Sequence, residues 1–244
     1  MRAVSLPPYL YKSTMPNIYQ RDKQSKILRE NGSRWCGPAA ISNALVYLAK
    51  RYFQMLVPPI GNMSELEAQA KLIETLATHM KTNDEGGTDP LNLVEGLEKY
   101  VKDRGYKTKV EWKGKSKVRE TNPPTPMWIM RGTVGTSNAV LNIGGYEFNQ
   151  KRREYKRLDG HYLTVAGFSS VSSKLVTHDS ALGGTKGIKD CNLEKIDNGN
   201  FAKDGNTRTQ SVEEFYKLHG VYLPDAKMDF AIIDGAVIFE VAKK

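Results

Sequence analysis

The sequence predicts an α+β fold in which a mainly helical first half precedes an antiparallel sheet. Three segments with helical periodicity come first, and strand-like segments follow without further alternation of helix and strand. The last two strand-like segments flank Asp234-Gly235, a dipeptide typical of two-residue hairpins. We expect one domain over residues 1–244, with a helical half over about residues 17–105 and a sheet half over about residues 106–244.

Each predicted helix begins with a recognisable start signal. Proline is favoured in the first turn, a Ser or Asp side chain caps free backbone N–H groups, and a Glu three residues later completes a capping box. The three starts are Cys36-Gly37-Pro38, Ser64 with Glu67, and Asp89 with Pro90. Apolar residues then recur at helical spacing as far as Tyr52, Met80 and Val101, so each helix has a face for a core.

Strand-like segments fill the second half of the chain. They are residues 106–112, 139–146, 162–168, 175–179, 228–233 and 236–241. Alternating or continuous apolar residues define them, and turn residues separate them. The basic, proline-containing segment 114–126 is expected to be a surface excursion.

The composition is that of a folded globular protein: of 244 residues, 39% are hydrophobic and 26% are charged. Apolar runs are far shorter than the roughly 18 residues of a membrane span, and two cysteines exclude a disulfide scaffold. The first residues lack the apolar stretch of a secretory signal, so the cytoplasm is the default, although a mature secreted chain would look the same. The net charge of +9 would attract nucleic acid, anionic lipid or acidic polymers.

Cys36 is a candidate nucleophile, because it stands at the predicted start of the first helix. Unpaired backbone N–H groups and the positive end of the helix dipole stabilise a thiolate at that position. The alternative is a buried structural cysteine that happens to precede a helix. Cys191 lies in a stretch rich in Gly, Asp and Asn and is expected in a surface loop.

A thiol nucleophile needs a base within hydrogen-bond reach, and that base needs an orienting group. His161 and His178 stand at ends of predicted strands and are the candidate bases. The other two histidines, expected near helix ends, are His79 and His219. If the two strands form a hairpin symmetric about Ser170, His161 stands directly opposite Asp179, the candidate orienting carboxylate. His178 then has the opposite parity and points to the other face.

Three sequence blocks carry a resemblance to a known family. They are Trp35-Cys36-Gly37-Pro38-Ala39-Ala40, Arg157-Leu158-Asp159-Gly160-His161-Tyr162, and His178-Asp179. In this order they resemble the papain-like cysteine peptidases, and more narrowly the bacteriocin-processing (double-glycine leader) peptidase family. The resemblance covers most of the chain, but only the cysteine and histidine blocks are specific.

The resemblance implies a papain-like fold and a thiol peptidase or amide-bond hydrolase that acts on a peptide or protein. Cys36 would attack as a thiolate, His161 would exchange protons, and Asp179 would hold the imidazole. An upstream glutamine would bind the oxyanion together with the Cys36 N–H. Gln20 best matches the family block, and Gln24 is the fallback.

Two other functions stay open at this stage. The same fold can hold a peptide without turnover, and a basic surface can bind nucleic acid. Basic clusters lie at residues 113–119 and 151–157, but no nucleic-acid module accompanies them, and the second cluster could instead favour an acidic substrate. No metal or nucleotide motif is present. We therefore expect a peptide or protein partner, no cofactor and no metal.

Overall fold

A layer of three helices packs against a ring of antiparallel strands in the computed structural model of the chain. The structure describes residues 6–21, 28, 32–59, 61–115, 122–203, 210–221, 223 and 227–244. Helices dominate the first half and strands the second, so the predicted α+β class is confirmed.

The three predicted helix starts are confirmed. The helices are α1 (Cys36–Arg51), α2 (Glu65–His79) and α3 (Pro90–Asp103). At α2, the Ser64 hydroxyl accepts from the Glu67 N–H at 3.3 Å, and the Glu67 carboxylate accepts from the Ser64 N–H at 2.8 Å. At α3, the Asp89 carboxylate accepts from the Leu91 N–H at 2.8 Å. A short helix that the sequence analysis did not predict, α4 (Pro126–Arg131), lies within the sheet half.

Six of the strands in the described residues close into a ring. The strands are β1 (Tyr9–Tyr11), β2 (Lys107–Gly114), β3 (Ser137–Asn149), β4 (Glu154–Ser169), β5 (Lys174–His178), β6 (Ile188–Lys195), β7 (Asn200–Phe201), β8 (Gln210–Ser211), β9 (Tyr216–His219) and β10 (Phe230–Ala242). Strands β3, β4, β5, β6, β9 and β10 each pair antiparallel with the next, and β10 pairs back with β3. Strand β2 pairs with β10, β1 and β7 pair near the ends of β4, and β8 pairs with β7.

The ring separates two apolar cores. Because successive side chains of a strand point to opposite faces, alternate residues of β3 and β4 serve different cores. Val140 and Tyr162 pack with the helices on the outside, whereas Leu141 and Leu163 pack inside the ring. His161 is in the same row as Leu163 and therefore belongs to the inner face of the ring.

The hairpin predicted at Asp234-Gly235 is wrong, because β10 continues through both residues. A register shift against β3 occurs there instead. Asp234 is buried, and its carboxylate accepts from Arg157 Nε at 2.7 Å. At Gly235 a Cβ would lie 2.3 Å from the Trp112 ring, so only glycine fits. Asp234 and Gly235 are therefore explained by their tertiary contacts with Arg157 and Trp112, and not by a turn.

Two further sequence expectations are also wrong. Cys191 lies on β6 and is fully buried, with its Sγ 3.4 Å from Thr177 Oγ1, and does not lie in a surface loop. His219 ends strand β9, where its Nε2 lies 2.8 Å from a Glu194 carboxylate oxygen, and does not end a helix. In both cases cross-strand pairing overrides weak local preferences for a loop or a helix.

Buried hydrogen bonds tie α1 to β4. The Asn43 side chain donates to Thr164 Oγ1 at 3.1 Å and accepts from the Ile18 N–H at 2.9 Å. The Thr164 hydroxyl in turn donates to the Ala40 carbonyl at 2.8 Å. This network holds the helix, the strand and the N-terminal segment in one relative position.

We expect Asn43→Ala to destabilise the protein by about 2–4 kcal/mol, because it leaves the buried Ile18 N–H without its acceptor and Thr164 without a donor. Urea unfolding followed by circular dichroism measures the change. Gln150→Ala, at an exposed position, is the control and should leave the free energy of unfolding nearly unchanged. Equal midpoints for the two variants would contradict the role of this network.

Candidate active site

Cys36 is the first residue of α1, where the sequence analysis expected it. The thiol is free and half-buried. A Cβ on neighbouring Gly37 would lie 3.0 Å from Thr88 Oγ1 and 3.3 Å from the Tyr162 ring. The glycine therefore lets the first turn of α1 approach β4 closely, one residue beyond His161.

His161 and Asp179 form a buried hydrogen bond. The distance from His161 Nε2 to Asp179 Oδ1 is 2.7 Å, and the two side chains are 8% and 5% exposed. His161 lies on β4, and Asp179 immediately follows β5. Because Nε2 is engaged with the carboxylate, Nδ1 is the ring nitrogen available to the Cys36 sulfur.

The direct cross-strand pairing predicted for His161 and Asp179 is wrong. A β-bulge between Val165 and Gly167 shifts the register of β4 against β5, and continuing that register aligns Asp179 with Leu163. His161 is then its diagonal neighbour, two residues along the same face, which a polar side chain can reach. Without the extra residue of the bulge, Asp179 would align with a position of opposite parity and point away from the imidazole.

Electrostatics in this cluster favour a thiolate. Burial acts to raise the pKa of Cys36, but the hydrogen bond and positive charge of His161 and the backbone N–H groups of Tyr162 and Gly37 outweigh it and lower the pKa. Burial acts to lower the pKa of His161, but hydrogen bonds to Asp179 and Cys36 and their charges raise it to about 10. A lowered pKa of the thiol and a raised pKa of the imidazole both favour the thiolate–imidazolium form of the pair.

The backbone after β5 holds Asp179 in place. Its Oδ1 also accepts from the Ala181 N–H at 2.9 Å, and its own N–H donates to the Gly187 carbonyl at 2.8 Å. A Cβ on Gly187 would lie 2.3 Å from the Asp179 carbonyl oxygen and from Asn17 Nδ2, so the glycine is required for this close approach. Hydrogen bonds with Ala181 and Gly187 therefore fix both the side chain and the backbone of Asp179.

Gln20 is buried against the same cavity, but its amide hydrogens are engaged. Its Nε2 donates to the carbonyls of Gly32 and Ser33, both at 3.2 Å. Its Oε1 accepts from the Ser180 hydroxyl at 2.9 Å, which sets the orientation of the amide. Gln20 thus links the segment before the candidate nucleophile to the segment after the carboxylate. The fallback, Gln24, lies outside the described residues.

All four candidate residues line one cavity of about 400 Å³. They are Gln20, Cys36, His161 and Asp179. The cavity is also lined by residues that were not predicted from the sequence, among them Thr88, Asn142, Arg157 and Tyr162. The Tyr162 hydroxyl donates to the Thr88 carbonyl at 3.0 Å and so braces the cavity wall. Of these four, Arg157 and Tyr162 could have been found from the sequence, because both belong to the histidine block.

His178, the other candidate base, does not line this cavity. Its Nδ1 lies 3.0 Å from the Pro16 carbonyl, and its ring contacts Tyr11 edge to face at 6.4 Å. Burial lowers its pKa, although the Pro16 carbonyl acts in the opposite sense. This histidine therefore packs against the N-terminal segment and not against the nucleophile.

Metal-ligating side chains are not grouped in the part of the chain that the structure describes: no three His, Cys, Asp or Glu residues are close enough together to hold an ion.

The longest helix in the described residues, α1, has 16 residues. Among the described helices, none has the length and apolar character that crossing a membrane requires.

We expect iodoacetamide to alkylate Cys36 at least about 100-fold faster than Cys191 near neutral pH. Cys36 is half-buried with a lowered pKa, whereas Cys191 is fully buried and burial raises its pKa to about 11. Mass spectrometry of quenched time points gives both rates, and denaturant should make them converge. His161→Ala should slow the Cys36 reaction more at low pH than at high pH, since the imidazolium no longer stabilises the thiolate. Equal rates in the folded protein would count against an activated thiol.

Comparison with known proteins bears on this site. The model of the Peptidase_C39 like family matches residues 12–208, a span that includes the cysteine, the histidine, the aspartate and Gln20. Curated proteins include no match to the chain. The family match extends over most of the chain, and on this basis the chain belongs to the Peptidase_C39 like family.

Proposed function

We propose that the protein is a cysteine peptidase, or a closely related amide-bond hydrolase, that cleaves a peptide or protein through Cys36, His161 and Asp179. The observation that carries this proposal is the buried 2.7 Å hydrogen bond from His161 to Asp179 beside a cysteine at a helix start. Family membership supports peptidase chemistry, and the resemblance to bacteriocin-processing peptidases supports a peptide substrate. We further propose that the helical and sheet halves act together as one peptidase-like domain.

In the first half of the proposed reaction, the Cys36 thiolate attacks the carbonyl carbon of the substrate amide. The π electrons of the carbonyl move to oxygen, and a tetrahedral oxyanion forms. As it collapses, the C–N bond breaks, and the imidazolium of His161 gives its Nδ1 proton to the leaving amine. A thioester on Cys36 and a neutral imidazole remain.

In the second half, His161 takes a proton from water, and the resulting hydroxide equivalent attacks the thioester carbonyl. The C–S bond then breaks, which releases the carboxylic acid and restores the thiolate and the imidazolium. Asp179 accepts from Nε2 throughout, so it keeps one ring orientation and stabilises the positive charge. Burial of this pair strengthens both effects.

The oxyanion would be held by the Cys36 backbone N–H and the Gln20 amide. In the structure the amide donates to the Gly32 and Ser33 carbonyls through long bonds of 3.2 Å. We propose that a developing negative charge attracts one of these N–H groups away from its neutral acceptor, because bonds to charged oxygens are the stronger ones. The chain before Cys36 therefore has to adjust during the reaction.

Cys36→Ala should abolish cleavage. We expect the wild-type protein to cut members of a peptide library, with new termini seen by mass spectrometry, while the variant leaves the library intact because no other described cysteine lines the cavity. Cys191→Ala is the matched control and should cleave normally if it folds. Cleavage retained in Cys36→Ala would refute the proposal, and peptide binding without cleavage by the wild type would indicate a binding module.

Gln20→Ala should lower kcat by about 100- to 1,000-fold with little change in KM, as expected for loss of an oxyanion donor. Ser180→Ala is the matched control, because it removes the hydrogen bond to Gln20 Oε1 but leaves the Nε2 donors in place. Both variants should lose thermal stability, whereas only Gln20→Ala should lose most of its kcat. Similar kcat values for the two variants would assign Gln20 a purely structural role.

A further inference from the structure

Arg157 forms part of the cavity wall near the candidate catalytic residues, and a buried carboxylate holds it there. Its Nε donates to Asp234 Oδ2 at 2.7 Å. The Arg157 side chain is 41% exposed, whereas that of Asp234 is 5% exposed. A buried carboxylate thus holds the guanidinium, while the Arg157 side chain as a whole stays partly accessible.

A pair of glycines makes room for this ion pair. Gly144 on β3 and Gly160 on β4 are cross-strand partners. A Cβ on Gly160 would lie 2.0 Å from Arg157 Nη2, and a Cβ on Gly144 would lie 2.6 Å from Asp234 Oδ2. The guanidinium thus lies directly on the backbone of the residue before His161. A cation held at this position is within reach of groups near the scissile bond.

The Asp234 carboxylate that holds Arg157 also accepts from a second side chain. The Tyr146 hydroxyl donates to Asp234 Oδ1 and accepts from Lys115 Nζ at 2.9 Å. Asp159, a second carboxylate whose charge acts on Arg157, accepts from a backbone N–H at 2.8 Å and lies 3.8 Å from Arg34. A guanidinium has five N–H donors and the bond to Asp234 uses one of them, so Arg157 has further donors with which to bind an anionic group.

We infer that Arg157 is a specificity residue that binds a substrate carboxylate, so that the preferred substrate has an acidic group within a few residues of the scissile bond. This inference rests on the proposed function and names its substrate class. A guanidinium presents two parallel N–H groups that match a carboxylate. Because Asp234 already orients Arg157, little side-chain entropy is lost when the substrate binds.

Matched peptides test the inference. They carry Asp, Glu, Asn or Gln at one scanned position, each with a free and an amidated C-terminus. We expect the wild-type protein to cleave the acidic peptides with a kcat/KM at least about tenfold higher than their neutral counterparts. A preference that follows the side chain identifies an acidic residue, and one that requires the free C-terminus identifies a terminal carboxylate. Equal kcat/KM values throughout would overturn the inference.

Two variants address Arg157 itself. Arg157→Gln combined with Asp234→Asn replaces the ion pair by neutral amides and avoids a buried unpaired carboxylate. Gly160→Ala keeps every charge, but its methyl group would displace the guanidinium. In both variants, the ratio of kcat/KM for acidic peptides to kcat/KM for neutral peptides should fall to about one. Because the ratio is taken within each variant, changes in basal activity cancel. Arg152→Ala, an exposed arginine outside this cavity, should keep the ratio. A ratio retained in the double variant would refute the role of Arg157.

Peptide binding to Cys36→Ala, followed by fluorescence anisotropy, separates this inference from the proposed function. Tighter binding of acidic peptides, together with no cleavage by the wild-type protein, would support the carboxylate site and overturn the peptidase proposal. Cleavage by the wild type, together with equal binding and equal kcat/KM for acidic and neutral peptides, would overturn the carboxylate site and leave the peptidase proposal standing.

Discussion

The hydrogen bond between His161 and Asp179 is the interaction on which the site depends. Both groups are buried, and a buried charge is costly unless an opposite charge and hydrogen bonds compensate it. Asp179 allows His161 to hold a proton at the inner face of the strand ring, and the charged imidazole in turn lowers the pKa of Cys36. The lowered pKa of Cys36 therefore depends in part on a carboxylate that acts through the histidine.

Two layers of the fold meet at this point. The ring of strands provides the histidine and the carboxylate, and the helical layer provides the cysteine at the start of α1. The buried hydrogen bonds of Asn43 and Thr164 fix the position of α1 relative to β4. Glycines at the contact points, such as Gly37 and Gly160, allow distances that any side chain would block. At both points a glycine backbone lies against side chains, those of Thr88 and Tyr162 at Gly37 and that of Arg157 at Gly160.

Features that depend on residues close together in the sequence could be predicted, whereas features that depend on contacts between distant residues could not. The caps at Ser64 and Asp89 act within three residues, so their helices start where the sequence analysis expected. The dipeptide Asp234-Gly235 has the residue types of a hairpin turn, but Arg157 and Trp112 occupy its surroundings and β10 continues through it. Cys191 was misplaced for a related reason, since pairing of β6 within the ring buried a segment whose composition is typical of a loop.

The amino-acid sequence alone was sufficient to predict the α+β class, the helix starts, the position of Cys36 at one of them, and the candidate histidine and carboxylate. These follow from capping, periodicity and motif order, which depend on neighbours along the chain. The tertiary structure decided how His161 meets Asp179, because a β-bulge sets the parity of two strands. It also decided where the amide of Gln20 donates and what holds Arg157, since these contacts join residues far apart in sequence and exist only once the ring has closed.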